Sequence, residues 1–313
     1  MSIRNIEILL ATYNGEKYLP DLLNSLFQQT IKDFRISIRD DGSTDKTIEI
    51  IKSFQKQFPE TISIFQDNHR QLGAISNFSI LLQNSSAKYV MLCDQDDVWL
   101  PNKIADSLAG IQKLEKEFGD DTPALLHTDL IVVNENLNEL APSFFQYSKL
   151  DSKRNKFNQF LVQNIITGCS IIMNRALVEL SWPIPEEARM HDWWIALTAS
   201  SMGIIGFLPN ATVSYRQHPK NTVGANKYNT AYIYRKIKEI LRNRGRNILE
   251  ENFRQAEIFL EIYASALPED KLYVLNQFLK IKNQNFFQKR FNLIKHGFLK
   301  GTLIQNIGLL LTV

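Results

Sequence analysis

Cysteine is scarce: the 313 residues hold two, Cys93 and Cys169, each inside an apolar run and without a CxxC partner. That argues against a disulfide framework or a zinc knuckle, predicts two buried small hydrophobes, and makes a reducing cytosol the natural compartment. Long apolar runs are missing as well, since no stretch reaches the roughly 18 uninterrupted apolar residues of a membrane-spanning helix. Met1 to Glu7 lack the charged and apolar regions of a signal peptide, so the catalytic part is expected to stay in the cytoplasm. Internal repeats and low-complexity tracts are absent. So is a Gly-rich, Lys/Arg-bearing phosphate loop: after the first apolar run stands Thr12-Tyr13-Asn14-Gly15-Glu16, which argues against a nucleotidyltransferase.

What is present is an ordinary globular composition, 44% hydrophobic and 22% charged, enough to bury a full core. The net charge of +3 hides a split. Residues 220–313 carry 16 Lys and Arg against 7 Asp and Glu, whereas residues 1–219 carry 20 against 26. An acidic body that binds cations and a basic tail that meets an anionic surface are expected. The acidic body offers no continuous basic groove, which argues against a nucleic-acid partner.

Patterning gives an α/β fold. Ile6 to Ala11 reads as a strand, followed by the turn-forming Asn14-Gly15 and by Leu19, Leu22, Leu23, Leu26 and Phe27 at helical spacing. The unit repeats with a strand over Phe34 to Ile38, a turn at Asp40 to Ser43, and a helix through Ile48 and Ile51 that Ser43 or Thr44 is placed to cap. Ile62 to Phe65, a helix from Gly73, and the strand Tyr89 to Cys93 make a third round. Strands alternating with helices imply a mostly parallel sheet covered on both faces, with ligands at the strands' carboxyl ends. Less regular elements follow: a helix over Pro101 to Phe118, a strand over Leu125 to Val133, a loop leading into a strand over Gln163 to Met173, a helix over Met190 to Met202, and strands at Ile204 to Leu208 and Thr212 to Tyr215. They read as a mixed sheet supplying the acceptor side.

Chemistry concentrates in four clusters. Asp94, Asp96 and Asp97 put three carboxylates in four positions after a strand, an arrangement that repels itself unless a divalent cation sits between it and a diphosphate. Asp40-Asp41 closes another strand; beyond a turn and cap, an acceptor-only carboxylate there suits a base N–H or a ribose hydroxyl. His191-Asp192-Trp193-Trp194 opens an apolar helix. Asp192 is either a first-turn acid or a base for a sugar hydroxyl whose ring lies on Trp193 or Trp194. Tyr215-Arg216-Gln217-His218 ends the last strand, with His218 a candidate metal ligand and Arg216 a phosphate partner.

Taken in order, Ala11-Thr12-Tyr13-Asn14-Gly15, Asp40-Asp41-Gly42-Ser43-Thr44-Asp45, Leu72-Gly73 with Asn77, Asp94-Gln95-Asp96-Asp97-Val98-Trp99 and His191-Asp192-Trp193-Trp194 resemble the inverting glycosyltransferase family 2, of GT-A fold. The resemblance runs from about Ile6 to His218. Asp94 to Trp99, Leu126-His127-Thr128-Asp129-Leu130, Thr167-Gly168-Cys169, Met190 to Trp193 and Tyr215 to His218 look most like bacterial rhamnosyltransferases that build surface polysaccharide. It implies that Thr12, Tyr13, Asn14 and Asn77 contact the nucleotide, Asp40 or Asp41 the base and ribose, and Asp94 and Asp96 the ribose and a Mg²⁺ or Mn²⁺ ion. His218 would complete the metal site, Asp192 would be the catalytic base, and Asp129, Gly168, His191, Trp193 and Trp194 would meet sugar or acceptor. His191 stands where a glutamate is more usual in the family. The implied reaction moves a sugar, dTDP-L-rhamnose being the favoured donor, to a glycan or lipid-linked glycan acceptor with inversion. A UDP-hexose or UDP-N-acetylhexosamine transferase and a non-catalytic sugar-nucleotide-binding protein are the alternatives.

Residues 1–219 are thus expected to be the GT-A domain and residues 220–313 a basic helical region. Tyr232, Ile233, Ile237, Ile240 and Leu241, interleaved with Arg235, Lys236, Lys238, Arg242, Arg244 and Arg246, have the composition of a basic amphipathic helix. The final stretch adds Phe286, Phe287, Phe291, Leu293, Ile294, Phe298 and Leu299. Peripheral attachment to the inner face of the cell membrane is the favoured reading, against packing on the body or a homodimer contact.

Overall fold

A computed structural model describes residues 5–67, 69–219 and 248–313, with positions 221, 224, 225, 227–229 and 238 between. The expected basic amphipathic helix around Tyr232 to Arg246 lies largely outside the described residues.

Strand β1 (Ile6–Thr12) runs parallel to β2 (Arg35–Asp40) and to β4 (Tyr89–Asp94), and β3 (Ile62–Phe65) extends the parallel set beyond β2. Helices α1 (Leu19–Phe27), α2 (Thr47–Gln57) and α3 (Gly73–Gln83) make the crossovers. β1 reads as an unbroken apolar run because both faces are covered. Its side chains alternate between two cores, Leu9 with Val90 and Leu92 on one side, and Ile8 and Leu10 with Met91 and Cys93 on the other. Both cysteines are free and buried, as expected.

The far half of the sheet is mixed. After β5 (Val98–Trp99) and α4 (Lys103–Phe118) come β6 (Ala124–Asn134), β7 (Glu139–Ala141), the one-turn helices α5 (Phe144–Tyr147) and α6 (Phe157–Phe160), β8 (Ile171–Asn174), α7 (Arg175–Ser181), α8 (His191–Met202) and β9 (Ile204–Gln217). The spatial order is β3-β2-β1-β4-β8-β6-β9-β5, with β7 beside β6. Two strands were expected where β9 forms one. Leu208 pairs with Thr128 and Ala211 with Asp129, so Pro209 and Asn210 bulge out without ending the ladder.

Helix α2 is a further correction. It has no side-chain cap, because Ser43 bonds back to Asp40 and Thr44 to Asn14 instead. Helices α9 (Glu250–Tyr263), α10 (Glu269–Lys280), α11 (Phe286–Lys295) and α12 (Leu303–Thr312) complete the chain. Their inward residues, among them Phe253, Phe259, Phe278, Leu293, Phe298 and Leu309, join one hydrophobic core with Phe157, Phe160 and Trp194. No helix among the described residues is long and apolar enough to cross a membrane.

Candidate active site

The carboxyl ends of β1, β2 and β4 open onto a cavity of about 970 Å³. Hydrogen bonds across its first wall stitch two loops together. Ser43 accepts from the Asn14 backbone N–H at 2.8 Å, and the Asn14 side chain accepts from the Thr44 N–H at 2.8 Å. Asn14 itself adopts a positive φ of 47°, as a short polar side chain allows. Gln95 clamps the backbone of Tyr13 from above, accepting from its N–H at 2.9 Å and donating to its carbonyl at 2.8 Å. A side chain at Gly15 would fall 2.3 Å from the Gln95 oxygen, so this clamp requires glycine there.

The acidic pair after β2 divides. Asp40 turns into its own loop, where it accepts from Thr12 Oγ1 (2.8 Å), from the Gly42 and Ser43 N–H groups (3.0 and 2.7 Å) and from Ser43 Oγ (2.5 Å). It does not line the cavity, so its expected contact with the nucleotide gives way to a turn-building role. Asp41 does line the cavity while accepting from Arg39 at 3.1 Å and from the Leu72 and Gly73 N–H groups at 3.0 and 2.8 Å, which fixes the entry to α3.

At the end of β4, Asp94 and Asp96 face the cavity with His218, whose Nε2 lies 2.8 Å from Asp96 Oδ2; Asn221 donates to the same oxygen at 3.4 Å. Burial raises the Asp94 carboxyl to about 7, and the neighbouring charges of Asp96 and Asp192 push the same way. Asp97 points inward, accepts the Arg216 N–H at 3.0 Å, and is driven well up by burial. Asp94, Asp97 and Cys169 have ligand atoms within 4.8 Å of one another. From the cavity side, Asp94, Asp96 and His218 are the residues that could hold a cation. Asp97 and Cys169 are buried and do not line the cavity, and burial raises both well above their ordinary values.

Arg216, expected at the phosphates, is 2% exposed and otherwise engaged. Its guanidinium donates to the Asp96 carbonyl (2.7 Å), the Glu135 carbonyl (2.7 Å) and Asp21 (2.9 Å), and lies 4.6 Å from the centre of the Tyr18 ring. It does not line the cavity.

The opposite wall is the first turn of α8. Asp192 accepts from Asn164 Nδ2 and from the Gly168 N–H, both at 3.1 Å, and burial raises it to about 7 against the lowering effect of the Trp193 and Gly168 backbone N–H groups. His191 stacks on Phe78 at 4.1 Å with neither ring nitrogen hydrogen-bonded to protein, and burial lowers it to about 3, so it faces the cavity as a neutral ring. The orphaned Asn77 Oδ1 lines the same end.

Three expected acceptor residues lie elsewhere. Trp194 is fully buried, donates to the Ser181 carbonyl at 3.1 Å and packs on Phe259 and Tyr263. Trp193 donates to the Phe160 carbonyl at 2.7 Å beneath the Arg189 guanidinium and does not line the cavity. Asp129 is buried and accepts from Ser143 Oγ (2.5 Å) and the Phe144 N–H (3.0 Å), holding the start of α5. In their place the cavity shows Tyr18, Phe78, Gln95, Glu135 and Met190, with Asn164 behind Asp192. Of these, Gln95 and Met190 had a sequence signal, their places inside two of the motifs.

Among the described lining residues, Asp41, Asp94, Asp96, Glu135 and Asp192 outnumber the one lysine, Lys17. A diphosphate enters such a cavity only with compensating charge. Parallel strands that end in an acid-lined cleft, backed by an antiparallel insertion, are the GT-A architecture of sugar transferases. Solved structures carry the same fold: TarS 1-349 of S. aureus in complex with UDP-GlcNAc matches with a TM-score of 0.56 and 15% identity over 97% of this chain and 89% of that one. Mannosyltransferase PcManGT from Pyrobaculum calidifontis, in complex with GDP-Man and Mn²⁺, matches with 0.56 and 15% over 94% and 73%. Residues 7–181 match the profile of Glycosyl transferase family 2, and the chain belongs to that family. It is 28% identical to the dTDP-rhamnosyl transferase RfbG of Shigella flexneri over 235 residues, 69% of this chain and 74% of the relative. To an uncharacterized glycosyltransferase of Nostoc sp. it is 35% identical over 226 residues, 69% and 66%.

Proposed function

We propose that this glycosyltransferase is inverting and metal-dependent, and that it moves L-rhamnose from dTDP-L-rhamnose to a glycan or lipid-linked glycan acceptor in bacterial surface polysaccharide synthesis. The observation that carries the reaction type is Asp192. Its carboxylate stands on the opposite wall from Asp94 and Asp96, held by two hydrogen bonds and raised to about 7, near the pH at which a general base works best. Asp192 takes the proton of the acceptor hydroxyl as that oxygen bonds to the anomeric carbon. The bond from that carbon to the diphosphate oxygen breaks on the opposite face, so the anomeric configuration inverts and no sugar-enzyme bond forms. A β-linked rhamnosyl donor gives an α-L-rhamnoside. Asp94, Asp96 and His218 would hold Mg²⁺ or Mn²⁺, which supplies charge stabilisation to the leaving diphosphate. Thr12, Tyr13, Asn14, Asp41 and Asn77 would seat the nucleotide, and neutral His191 with Gly168 would meet the sugar.

The rhamnose assignment is supported by the likeness to the Shigella dTDP-rhamnosyl transferase and by the ordered motifs; a UDP-hexose or UDP-N-acetylhexosamine donor is the competing reading. The enzyme is placed at the cytoplasmic face of the membrane, its C-terminal region on the lipid surface. Nucleotide release from dTDP-L-rhamnose, UDP-glucose, UDP-galactose and UDP-N-acetylglucosamine, each with Mn²⁺, Mg²⁺ or EDTA, tests the proposal. EDTA-sensitive release of dTDP alone is expected. Release of UDP alone overturns the donor, and EDTA-resistant release overturns the metal.

A further inference from the structure

Helices α11 and α12 expose an unusual amount of apolar surface. Phe287, Phe291 and Ile294 follow one another at i, i+4 and i+7, and Leu303, Ile307 and Leu311 at i, i+4 and i+8; these six are 50% to 80% exposed. Phe286 adds another open ring, at 60%. The inward sides of both helices are already satisfied, with Leu293 and Leu309 fully buried, as is Phe298 in the connection between them. Capping boxes at Asn285/Gln288 and Thr302/Gln305 hold the helix starts locally, so neither needs a partner to form. Charge is equally one-sided, since residues 271–313 contain seven Lys and Arg and no Asp or Glu. Several of these cations sit among the exposed rings: Arg290 lies 3.2 Å from the centre of Phe286 and Lys295 5.8 Å from that of Phe291.

We propose that α11 and α12 form the pad by which the enzyme docks on an anionic lipid bilayer, the open apolar stripes entering the interface and the flanking cations meeting lipid headgroups. This deepens the membrane placement made above and does not depend on the donor. The composition decides between occupants. A second copy packed through the same surface would set Lys289, Arg290 and Lys295 against a like-charged patch with no carboxylate to answer them, whereas an anionic surface answers every one. The pad is also tied to the active-site wall. Asn158 donates to the carbonyls of His296 and Gly297 at 3.0 and 3.1 Å, Gln163 accepts from the Gly301 N–H at 2.7 Å, and Arg154 bonds the Leu299 carbonyl. The next residue after Gln163 is Asn164, which positions Asp192. Docking therefore sets the bilayer in fixed relation to the segment that holds the catalytic base.

Co-sedimentation of the full chain with vesicles of phosphatidylcholine alone, and of equal parts phosphatidylcholine and phosphatidylglycerol, tests this. The wild type is expected to bind the anionic vesicles at least tenfold more tightly, with binding weakened by salt. Phe287→Ser/Phe291→Ser and, on the other helix, Leu303→Ser/Leu311→Ser should each lose at least tenfold in vesicle binding. Lys289→Glu/Arg290→Glu/Lys295→Glu should abolish the lipid preference. All three should keep the wild-type Tm, because the changed side chains are largely on the outside. Equal binding by wild type and apolar variants overturns the proposal, as does a dimer, detected by light scattering without lipid, that the serine variants dissociate.

Discussion

Replacing Asp192 with asparagine separates catalysis from stability, because the structure gives the two effects opposite signs. Folded, Asp192 keeps its proton up to about pH 7; unfolded, it releases it near 3.8. Between those values the native chain binds more protons, so its stability falls as pH rises through the window and levels off above 7. A displacement of that size corresponds to roughly 4 kcal/mol; since the carboxylate keeps one side on the open cavity, we take about half, ~2 kcal/mol. Asparagine removes that dependence at the cost of one mismatched hydrogen bond, to Asn164 or to Gly168, about 1 kcal/mol. Asp192→Asn should therefore be slightly more stable than wild type at pH 8 and slightly less stable at pH 5, by urea denaturation at both pH values. Its turnover should fall by about 10²- to 10⁴-fold, the worth of a general base. The wild-type kcat/KM should rise with pH to a plateau above about 7. Activity within tenfold of wild type, or the same pH slope of stability in both proteins, would refute the assignment.

Asn164→Ala removes a side-chain hydrogen bond to the Asp192 carboxylate, so the charged form loses a donor, the acid limb of kcat/KM should move to higher pH and activity at pH 7 should drop about tenfold; an unmoved limb would leave Asn164 a purely structural part. Gly168→Ala places a methyl 2.9 Å from His191 Nε2 and 3.8 Å from Asp192 Cβ. It should lower activity severalfold, in a donor-hydrolysis assay, with less than about 1 kcal/mol lost in urea titration. Arg39→Met strands Asp41 and Asp67, which Arg39 holds at 3.1 and 2.7 Å, and should cost about 3 to 5 kcal/mol by the same titration.

The crossover half of the fold was legible because β1 and β4 are buried on both faces, β2 alternates, and each helix is buried on one side, so periodicity changes cleanly from one element to the next. β9 was not, because Pro209-Asn210 reads as a break whereas neighbouring pairing carries the strand past it. Within the site, motifs told which segments converge but not which way each side chain points. Successive helix residues turn by about 100°, so Trp194, two positions after Asp192, faces the core while Asp192 faces the cavity. Asp40, the last residue of β2, and Asp41, the next, part for the strand equivalent of that reason, as successive residues of an extended chain leave opposite faces. Asp129 sits on a strand beside the cavity, yet its partners at the start of α5 are local loop contacts that no spacing announces. Asn164 gave no signal either, being one polar residue in a loop.

The same directional argument explains why so acidic a cleft holds its shape. Of the three aspartates at the end of β4, Asp94 and Asp96 are spent on the cavity, and Asp97 is turned under it as an acceptor for the Arg216 backbone. The Arg216 side chain then reaches past Asp97 to the carbonyls of Asp96 and Glu135 and to Asp21 on α1. Tyr18, just before α1, lies between this guanidinium and the His218 ring, 4.6 and 4.7 Å from their centres. One arginine thus braces the acidic loop, the helix that follows the first loop and the strand end that presents His218. A cation set there by the backbone costs no reorganisation when charge enters the cavity, and among the described residues no arginine bonds the side-chain oxygens of Asp94 or Asp96. Placed among the phosphates instead, Arg216 would compete with a metal for the same negative charge. In the position it takes, it supports the loop that carries Asp94 and Asp96 to the cavity.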